Sequence, residues 1–290
     1  MAETPDVSFK HTYSAEVLRL YAARDDKVRD AVTVKTGIMG KSYNFERLGS
    51  SDLGTVTTRH QPVIVLQPVH SVRRVTFTDK SGAILLDRHD EIKMAIQPKN
   101  AYAQNHSDAY ARFINDLVID AAVASAVAVD AADATSNVSI GAGQQIAAGS
   151  IGLTFEKVLQ ASRILNTNNV PKTGRTFMIS PQALEDLLQE TEVTSSDFSQ
   201  LMALKQGTLN APWMGFTWIE TTQLNITSLT RTCLAFHKDA IGLCIPLELE
   251  VDVSRRNDLA SNPWQINAIA SAGCVRLQEE GVVQVDITEV

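Results

Sequence analysis

The first third of the chain combines one short amphipathic segment with a long stretch that has no regular apolar spacing. Residues 14–24 carry apolar side chains at helical spacing behind Ser14, a suitable N-cap, and this pattern predicts a short helix. Glycine and serine then interrupt the pattern through residues 37–54. The apolar content there is too low for a core, so we expect an extended and exposed excursion.

A run of β-favouring residues follows between Pro62 and Pro68. The run comprises Val63, Ile64, Val65 and Leu66. Proline cannot donate a hydrogen bond to a neighbouring strand, so the pattern predicts an edge strand. An isolated excursion of this kind is marginal in water and needs a partner surface. It is the first indication that the chain assembles with other copies.

The strongest helical pattern of the chain begins after Pro98 and runs over residues 100–134. Two short strands precede it at residues 75–77 and 84–86, around a predicted turn at residues 79–82. The helix would extend over ~50 Å at 1.5 Å per residue. Its central apolar stripe, predicted to be buried against a sheet, comprises Tyr110, Phe113, Ile114 and Leu117. Asn115 and Asp116 are expected on the opposite, polar face.

Glycines between residues 141 and 152 predict a flexible junction to a second lobe. Helices are expected from Phe155 and from Pro181, with strands at residues 176–179, 216–219, 232–236 and 242–245. This order of strands and helices is typical of an α+β lobe. The alternating final stretch, residues 264–290, is predicted to return to the first lobe as a strand.

The charge balance argues against a protein that binds nucleic acid through its phosphates. Lys and Arg number 26 against 33 Asp and Glu, which gives a formal charge of -7. The N-terminus has no basic stretch followed by an apolar run, and the apolar run at residues 121–129 is too short to cross a bilayer. We therefore expect a soluble cytoplasmic product without sequence-specific DNA binding.

The sequence carries no established catalytic signature. Zinc-protease, nucleophile-elbow and Walker motifs are missing, and the three cysteines form no CxxC pair. Gly141 and Gly143 resemble the start of a dinucleotide loop, but the third glycine is missing and a linker is the favoured interpretation. We expect no catalytic residue, no cofactor and no metal site. Three arginines of the excursion could pair with acidic patches on a neighbour or keep an exposed edge soluble: Arg59, Arg73 and Arg74.

The order of elements is similar to that of the major capsid proteins of tailed bacteriophages. Residues 40–45, GKSYNF, resemble the loop entry in capsid proteins of short-tailed phages, and residues 75–91 resemble the strand and acidic turn before their long helix. Residues 110–120, YARFINDLVID, resemble that helix itself. Residues 177–181, FMISP, resemble a recurrent piece of the second lobe.

The resemblance implies an α+β fold that tailed phages share with herpesvirus capsids and encapsulin shells. Residues 1–45 would form the N-terminal arm, and residues 46–74 the extended loop. The peripheral domain, with its long spine helix, would comprise residues 75–151 and 264–290. The axial domain would comprise residues 152–263.

The resemblance also implies a function. Such chains assemble as hexamers and pentamers into an icosahedral shell that encloses the phage genome, and they are part of the virion after assembly in the host cytoplasm. The expected partners are other copies, a scaffolding protein, a portal protein at one vertex and, in some phages, a decoration protein. An encapsulin-like bacterial shell is the main alternative. A nucleotide-binding enzyme is the alternative from another class.

Overall fold

The computed structural model describes residues 27–87, 99–130, 133–189, 213–260 and 262–289. The predicted helix at residues 14–24 and most of the acidic turn before the long helix lie outside these ranges. The described helices are α1 (Lys99–Val123), α2 (Phe155–Thr167) and α3 (Pro181–Gln189). The strands are β1 (Thr33–Thr36), β2 (Ser42–Leu48), β3 (His70–Thr76), β4 (Thr78–Leu86), β5 (Ala126–Val129), β6 (Thr135–Val138), β7 (Gln145–Ile146), β8 (Arg175–Ile179), β9 (Thr217–Glu220), β10 (Ile226–Thr227), β11 (Thr230–His237), β12 (Ile241–Arg255), β13 (Trp264–Arg276) and β14 (Val282–Thr288).

The strands form three sheets. The first has the order β1-β12-β13-β4, and α1 packs against its strands β12 and β13. The second has the order β7-β14-β11-β8-β9, with β10 paired to β11. The third has the order β2-β3-β5-β6 and contains the β2-β3 hairpin from which the extended loop emerges.

The buried face of α1 differs from the predicted stripe by one position along the helix. Ile114 has no exposed surface, whereas Tyr110, Phe113 and Leu117 lie half-buried at the edge of the core. Asn115, predicted to point away, is buried and donates from Nδ2 to Oε1 of Gln223 at 3.0 Å. The other buried residues of this face are Ala111, Val118, Ile119 and Ala122. A sheet beneath one side of the helix decides its orientation, because several apolar side chains could face it equally well.

Helix α1 ends at Val123, so the prediction that it continues to residue 134 is wrong. The 25 residues give a length of about 38 Å. The alanine-rich continuation instead forms β5, which pairs with β3 and with β6. Alanine has the highest helix propensity, but the preference is less than about 1 kcal/mol per residue, and hydrogen bonding to two neighbouring strands outweighs it here.

The position of Ile114 predicts a larger loss of stability on truncation than at Phe113. Ile114→Ala removes three buried carbon atoms and leaves a cavity, so the free energy of unfolding is expected to fall by about 2–5 kcal/mol. Phe113→Ala should cost less, because its ring is partly exposed and lies beneath the Lys80 ammonium at 5.5 Å. Urea denaturation of both variants measures the difference. An equal or larger loss for Phe113→Ala would contradict the assignment of the buried face.

Two predictions about the strands of the first lobe are also corrected. The turn expected at residues 79–82 does not form, because β4 is continuous and pairs with β13 from Thr78 to Leu86. The final stretch does not return as a whole to the first lobe. Strand β13 pairs with β4, but β14 pairs with β11 and β7 of the second sheet. The two lobes are therefore joined through neighbouring strands of one C-terminal segment.

The second lobe follows its predicted elements closely. Ser180 caps α3, since its Oγ accepts a hydrogen bond from the Ala183 backbone N–H at 3.1 Å. Thr154 caps α2 in the same way, through the Lys157 backbone N–H. Every residue of β8 is buried. The predicted strand at residues 176–179 and the helix from Pro181 are confirmed.

One continuous core spans both lobes and includes residues from α1, α2, β8, β11, β12 and β14. A second, smaller core lies at the base of the β2-β3 hairpin and comprises Phe45, Val75, Ala126, Cys244 and Val275. Phe45 lies directly over Gly242, where a Cβ atom would approach its ring to 2.8 Å. Only glycine permits this approach, and the base of the hairpin is thereby held against the body of the protein.

Candidate assembly surface

The β2-β3 hairpin carries a long connection, residues 49–69, that contains no helix and no strand. The backbone N–H of Gly49 donates to the carbonyl of Val69 at 2.8 Å, which closes the connection at its base. Residues 51–60 are all exposed. The extended loop, expected from the resemblance at residues 46–74, has its part without helix or strand at residues 49–69, and the name refers to residues 49–69 from here on.

Apolar side chains of the extended loop face solvent in the single chain. Val63 is 89% exposed and Val65 is 80% exposed. The other exposed apolar residues of the loop are Leu53, Val56, Ile64, Leu66 and Val69. Such a concentration of aliphatic side chains on one segment marks a contact with another molecule, since their exposure to water is unfavourable.

The predicted edge strand at Val63, Ile64, Val65 and Leu66 is not formed in the single chain. The segment instead lies near the first half of the loop, because a Cβ atom at Gly54 would lie 2.5 Å from Cδ1 of Ile64. The flanking prolines remove donors from this segment, which explains why it makes no regular ladder within its own hairpin.

The tip of the extended loop is a preformed turn. The Gln61 side-chain carbonyl oxygen accepts from the backbone N–H groups of Thr57 at 3.0 Å and Thr58 at 3.4 Å. His60 adopts a positive φ of 60° within this turn. Arg59 and His60 are therefore exposed at a hydrogen-bonded turn. Ordering before contact lowers the entropic cost of binding.

The other two arginines of the predicted interface are engaged within the chain. Arg73 pairs with Glu279 at 2.8 Å and is buried. Arg74 forms an ion pair with Asp133 and donates to Oδ1 of Asn44 at 3.1 Å. In the single chain both arginines therefore meet carboxylates of the same chain, and their pairing with a neighbouring copy stays a prediction. Sequence spacing could not reveal these acidic partners, because Glu279 lies more than two hundred residues further along the chain.

Arg276 is the largest fully buried side chain of the described residues, and sequence reasoning did not single it out. Its guanidinium donates to the carbonyls of Ala122 at 2.9 Å and Ala124 at 2.7 Å, at the C-terminal end of α1. It also donates to the carbonyl of Val138 in β6 at 2.9 Å. A positive charge at this end of a helix is favourable, because the helix dipole is negative there. Burial lowers the pKa of Arg276.

Lys157 is a buried cation of the second lobe and is likewise structural. The Lys157 ammonium donates to three backbone carbonyls, those of Ala148 at 2.8 Å, Ile151 at 3.3 Å and Asp286 at 2.9 Å. Burial lowers its pKa. It ties α2 to β14 and to the segment before α2, and all three donor positions of the ammonium are used.

Two cysteines of the described residues are buried, as expected for small apolar side chains. Burial raises the pKa of Cys233 and of Cys244 to about 12, so both remain neutral thiols. Among the residues that the structure describes, His, Cys, Asp and Glu form no group of three or more that could hold a metal ion.

Gly143 lies in a short 3-10 helix before β7, Gly141 lies directly before that helix, and the Gln144 side chain there is buried. None of the helices in the described ranges is long and apolar enough to span a bilayer.

Comparison with known families decides the assignment. The family model of phage capsid proteins matches residues 6–289. The chain belongs to the phage capsid protein family. No curated protein sequence matches the chain. As a family member it is a structural protein of the virion capsid, and the predicted capsid function and location are confirmed at this level.

Solved capsid structures are similar to this phage capsid protein over nearly its whole length. The capsid of cyanophage P-SCSP1u is 16% identical, with 98% of this chain and 94% of that chain covered at a TM-score of 0.76. The capsid of cyanophage Pam1 is 11% identical, with 99% and 98% covered at 0.73. The capsid of Ralstonia phage GP4 is 10% identical, with 99% and 97% covered at 0.73. The α+β tailed-phage capsid fold is therefore confirmed.

Proposed function

We propose that this capsid protein assembles as hexamers and pentamers into a closed icosahedral shell around the phage genome. The observation that carries the proposal is the extended loop, whose aliphatic side chains are exposed in the single chain. A shell of identical copies needs a surface that is stable only when a neighbour covers it. The loop provides such a surface without a ligand or cofactor.

The charge of the chain is compatible with a container for DNA. A formal charge of -7 gives no general attraction to phosphate groups, so the inner wall would not hold the genome tightly. We infer that the chain encloses DNA without sequence-specific binding. A shell that does not attract DNA strongly favours both the entry and the release of the genome.

The remaining parts of the proposal rest on the resemblance to tailed-phage capsid proteins. A scaffolding protein would guide assembly in the host cytoplasm, a portal protein would occupy one vertex, and a decoration protein could bind the finished shell. We keep the division into a peripheral domain of residues 75–151 and 264–290 and an axial domain of residues 152–263 as a proposal for the order along the chain, in which β14 at the end of the peripheral segment lies in the second sheet. The pairings of β12 with β13 and of β14 with β11 then join the two domains through sheets.

Hydrogen exchange of the extended loop tests the assembly proposal. In the free subunit, amides at Val63 and Val65 should exchange rapidly, since the loop makes no backbone ladder there. In assembled shells the same amides should be protected, because a neighbouring copy covers the segment. Amides of β8, which is buried in both states, provide the internal reference. Equal exchange of the loop in free subunits and shells would rule out its role in contact between copies.

A further inference from the structure

One carboxylate of the body, that of Glu279, pairs with both strands of the hairpin that bears the extended loop. One oxygen of Glu279 pairs with Nη2 of Arg73 in β3 at 2.8 Å. The other oxygen pairs with Nη1 of Arg47 in β2 at 3.4 Å. Glu279 therefore holds both strands of the hairpin at once.

Glu279 lies in the turn that joins β13 to β14, between the first and the second sheet. The turn is fixed from the second lobe. The Gln144 side-chain amide donates to the Glu279 carbonyl, and the Asn168 amide donates to the Glu280 carbonyl at 3.2 Å. The Leu277 backbone N–H donates to the carbonyl of Ala240 at 2.7 Å. The carboxylate is thus held by the body and directed at the hairpin.

Two of the three charged side chains are largely withdrawn from solvent, and Arg47 is the more exposed partner at 24%. The side chain of Arg73 is 7% exposed and that of Glu279 is 14% exposed. Attraction between charges increases as water is excluded, and removal of one partner leaves the other charge buried without compensation. Burial lowers the pKa of Arg276 and Glu279 opposes this shift, so the carboxylate also acts on a second buried guanidinium.

An open cleft separates β2 from the second lobe beside this ion pair. It is lined by side chains from both sides, including Phe45, Leu48, Asn168, Leu277 and Glu280. The hairpin is packed at its base, where Phe45 lies over Gly242, and is not packed along its whole length. The ion pairs of Glu279 act on the hairpin beside this open space, in addition to the packing at its base and the pairing of β3 with β5.

We propose that Glu279 is a positioning residue that sets the angle at which the extended loop leaves the body, and with it the curvature of the shell. The inference rests on the proposed function, in which the loop contacts a neighbouring copy. In an assembly of identical copies, the angle between neighbours decides whether the structure closes and at what diameter. Loss of the ion pairs should therefore change the geometry of the particles rather than abolish contact between copies.

The test compares Glu279→Gln with Glu280→Gln in the full chain, assembled under the same conditions. Glutamine preserves the shape of the side chain and removes its charge. Glu280 is the matched control, because it lies in the same turn, is exposed and loses the same charge. The Glu279→Gln chain should still associate, but the fraction of closed shells with the parent diameter should fall several-fold, with open or irregular particles in their place. The Glu280→Gln chain should form parent shells.

Arg47→Gln is the second variant, because Arg47 is the more exposed partner and its replacement leaves Arg73 paired. A smaller fall in the fraction of closed shells with the parent diameter is expected, and this variant decides alone if Glu279→Gln does not fold. Particles of parent diameter and yield from both variants would overturn the proposal. A chain without residues 53–68 separates this outcome from failure of the proposed function, because that deletion tests contact itself. Electron microscopy gives the diameter distribution for every variant.

Discussion

A chain that lacks residues 53–68 is expected to remain a folded monomer and to form no closed shells. The deleted segment contributes no residue to either core, so the lobes keep their buried contacts. Gly49 and Val69 already meet through a hydrogen bond of 2.8 Å, and the residues left between them are Ser50, Ser51 and Asp52. Serine and aspartate favour tight turns, so a short hairpin connection can form.

Sedimentation and electron microscopy measure the loss of shells, and thermal unfolding shows whether the monomer remains folded. Val63→Ser combined with Val65→Ser is a second test that leaves the length of the loop unchanged. Both side chains are exposed in the monomer. This variant should unfold like the parent chain and assemble poorly, since aliphatic burial between copies is lost. Closed shells of normal size from the deletion variant would show that the extended loop is dispensable for assembly.

Replacement of Arg276 by methionine should lower the free energy of unfolding by about 3–5 kcal/mol. The guanidinium satisfies the carbonyls of Ala122, Ala124 and Val138, and Arg276 itself has no exposed surface. Methionine has a comparable length but no donor, so these carbonyls lose their charged partner. The loss combines three hydrogen bonds to a charged group, which are individually worth about 1.5–3 kcal/mol and are not additive.

Urea denaturation of the monomer measures the effect, with Arg163→Met as the control. Arg163 is exposed on α2, and its replacement should change stability by less than about 0.5 kcal/mol. Arg276→Lys should lie between the two, because a single ammonium cannot reach carbonyls in α1 and β6 with the geometry of a planar guanidinium. A stability for Arg276→Met within the range of the control would mean that water satisfies the three carbonyls.

The contacts of Arg276 also explain how α1 is joined to the hairpin that carries the extended loop. Its donors connect the end of α1 to β6, which belongs to the same sheet as β2 and β3. Glu279 lies three residues further along the chain and pairs with both strands of that hairpin. A short C-terminal segment therefore connects the helix, the hairpin and the second lobe.

Local sequence patterns were sufficient to predict the α+β class of the protein and most of its helices and strands. Periodic apolar positions predict α1, α2 and α3, and the Ser180 cap before Pro181 is a local signal that the structure retains. The exposed character of the extended loop also follows from its glycine, serine and proline content. These features depend on neighbouring residues, and they can be inferred without knowledge of distant contacts.

Features that depend on contacts between residues far apart in the chain could not be predicted from local patterns. The end of α1, the side of α1 that is buried, and the division of the C-terminal segment between two sheets all follow from pairing with distant strands. The residues around Arg73 in the sequence do not distinguish it from an exposed arginine. Its burial and its ion pair with Glu279 follow only from the fold. Burial and charge pairing are properties of the whole packed molecule, and local preferences of a fraction of a kcal/mol per residue cannot specify them.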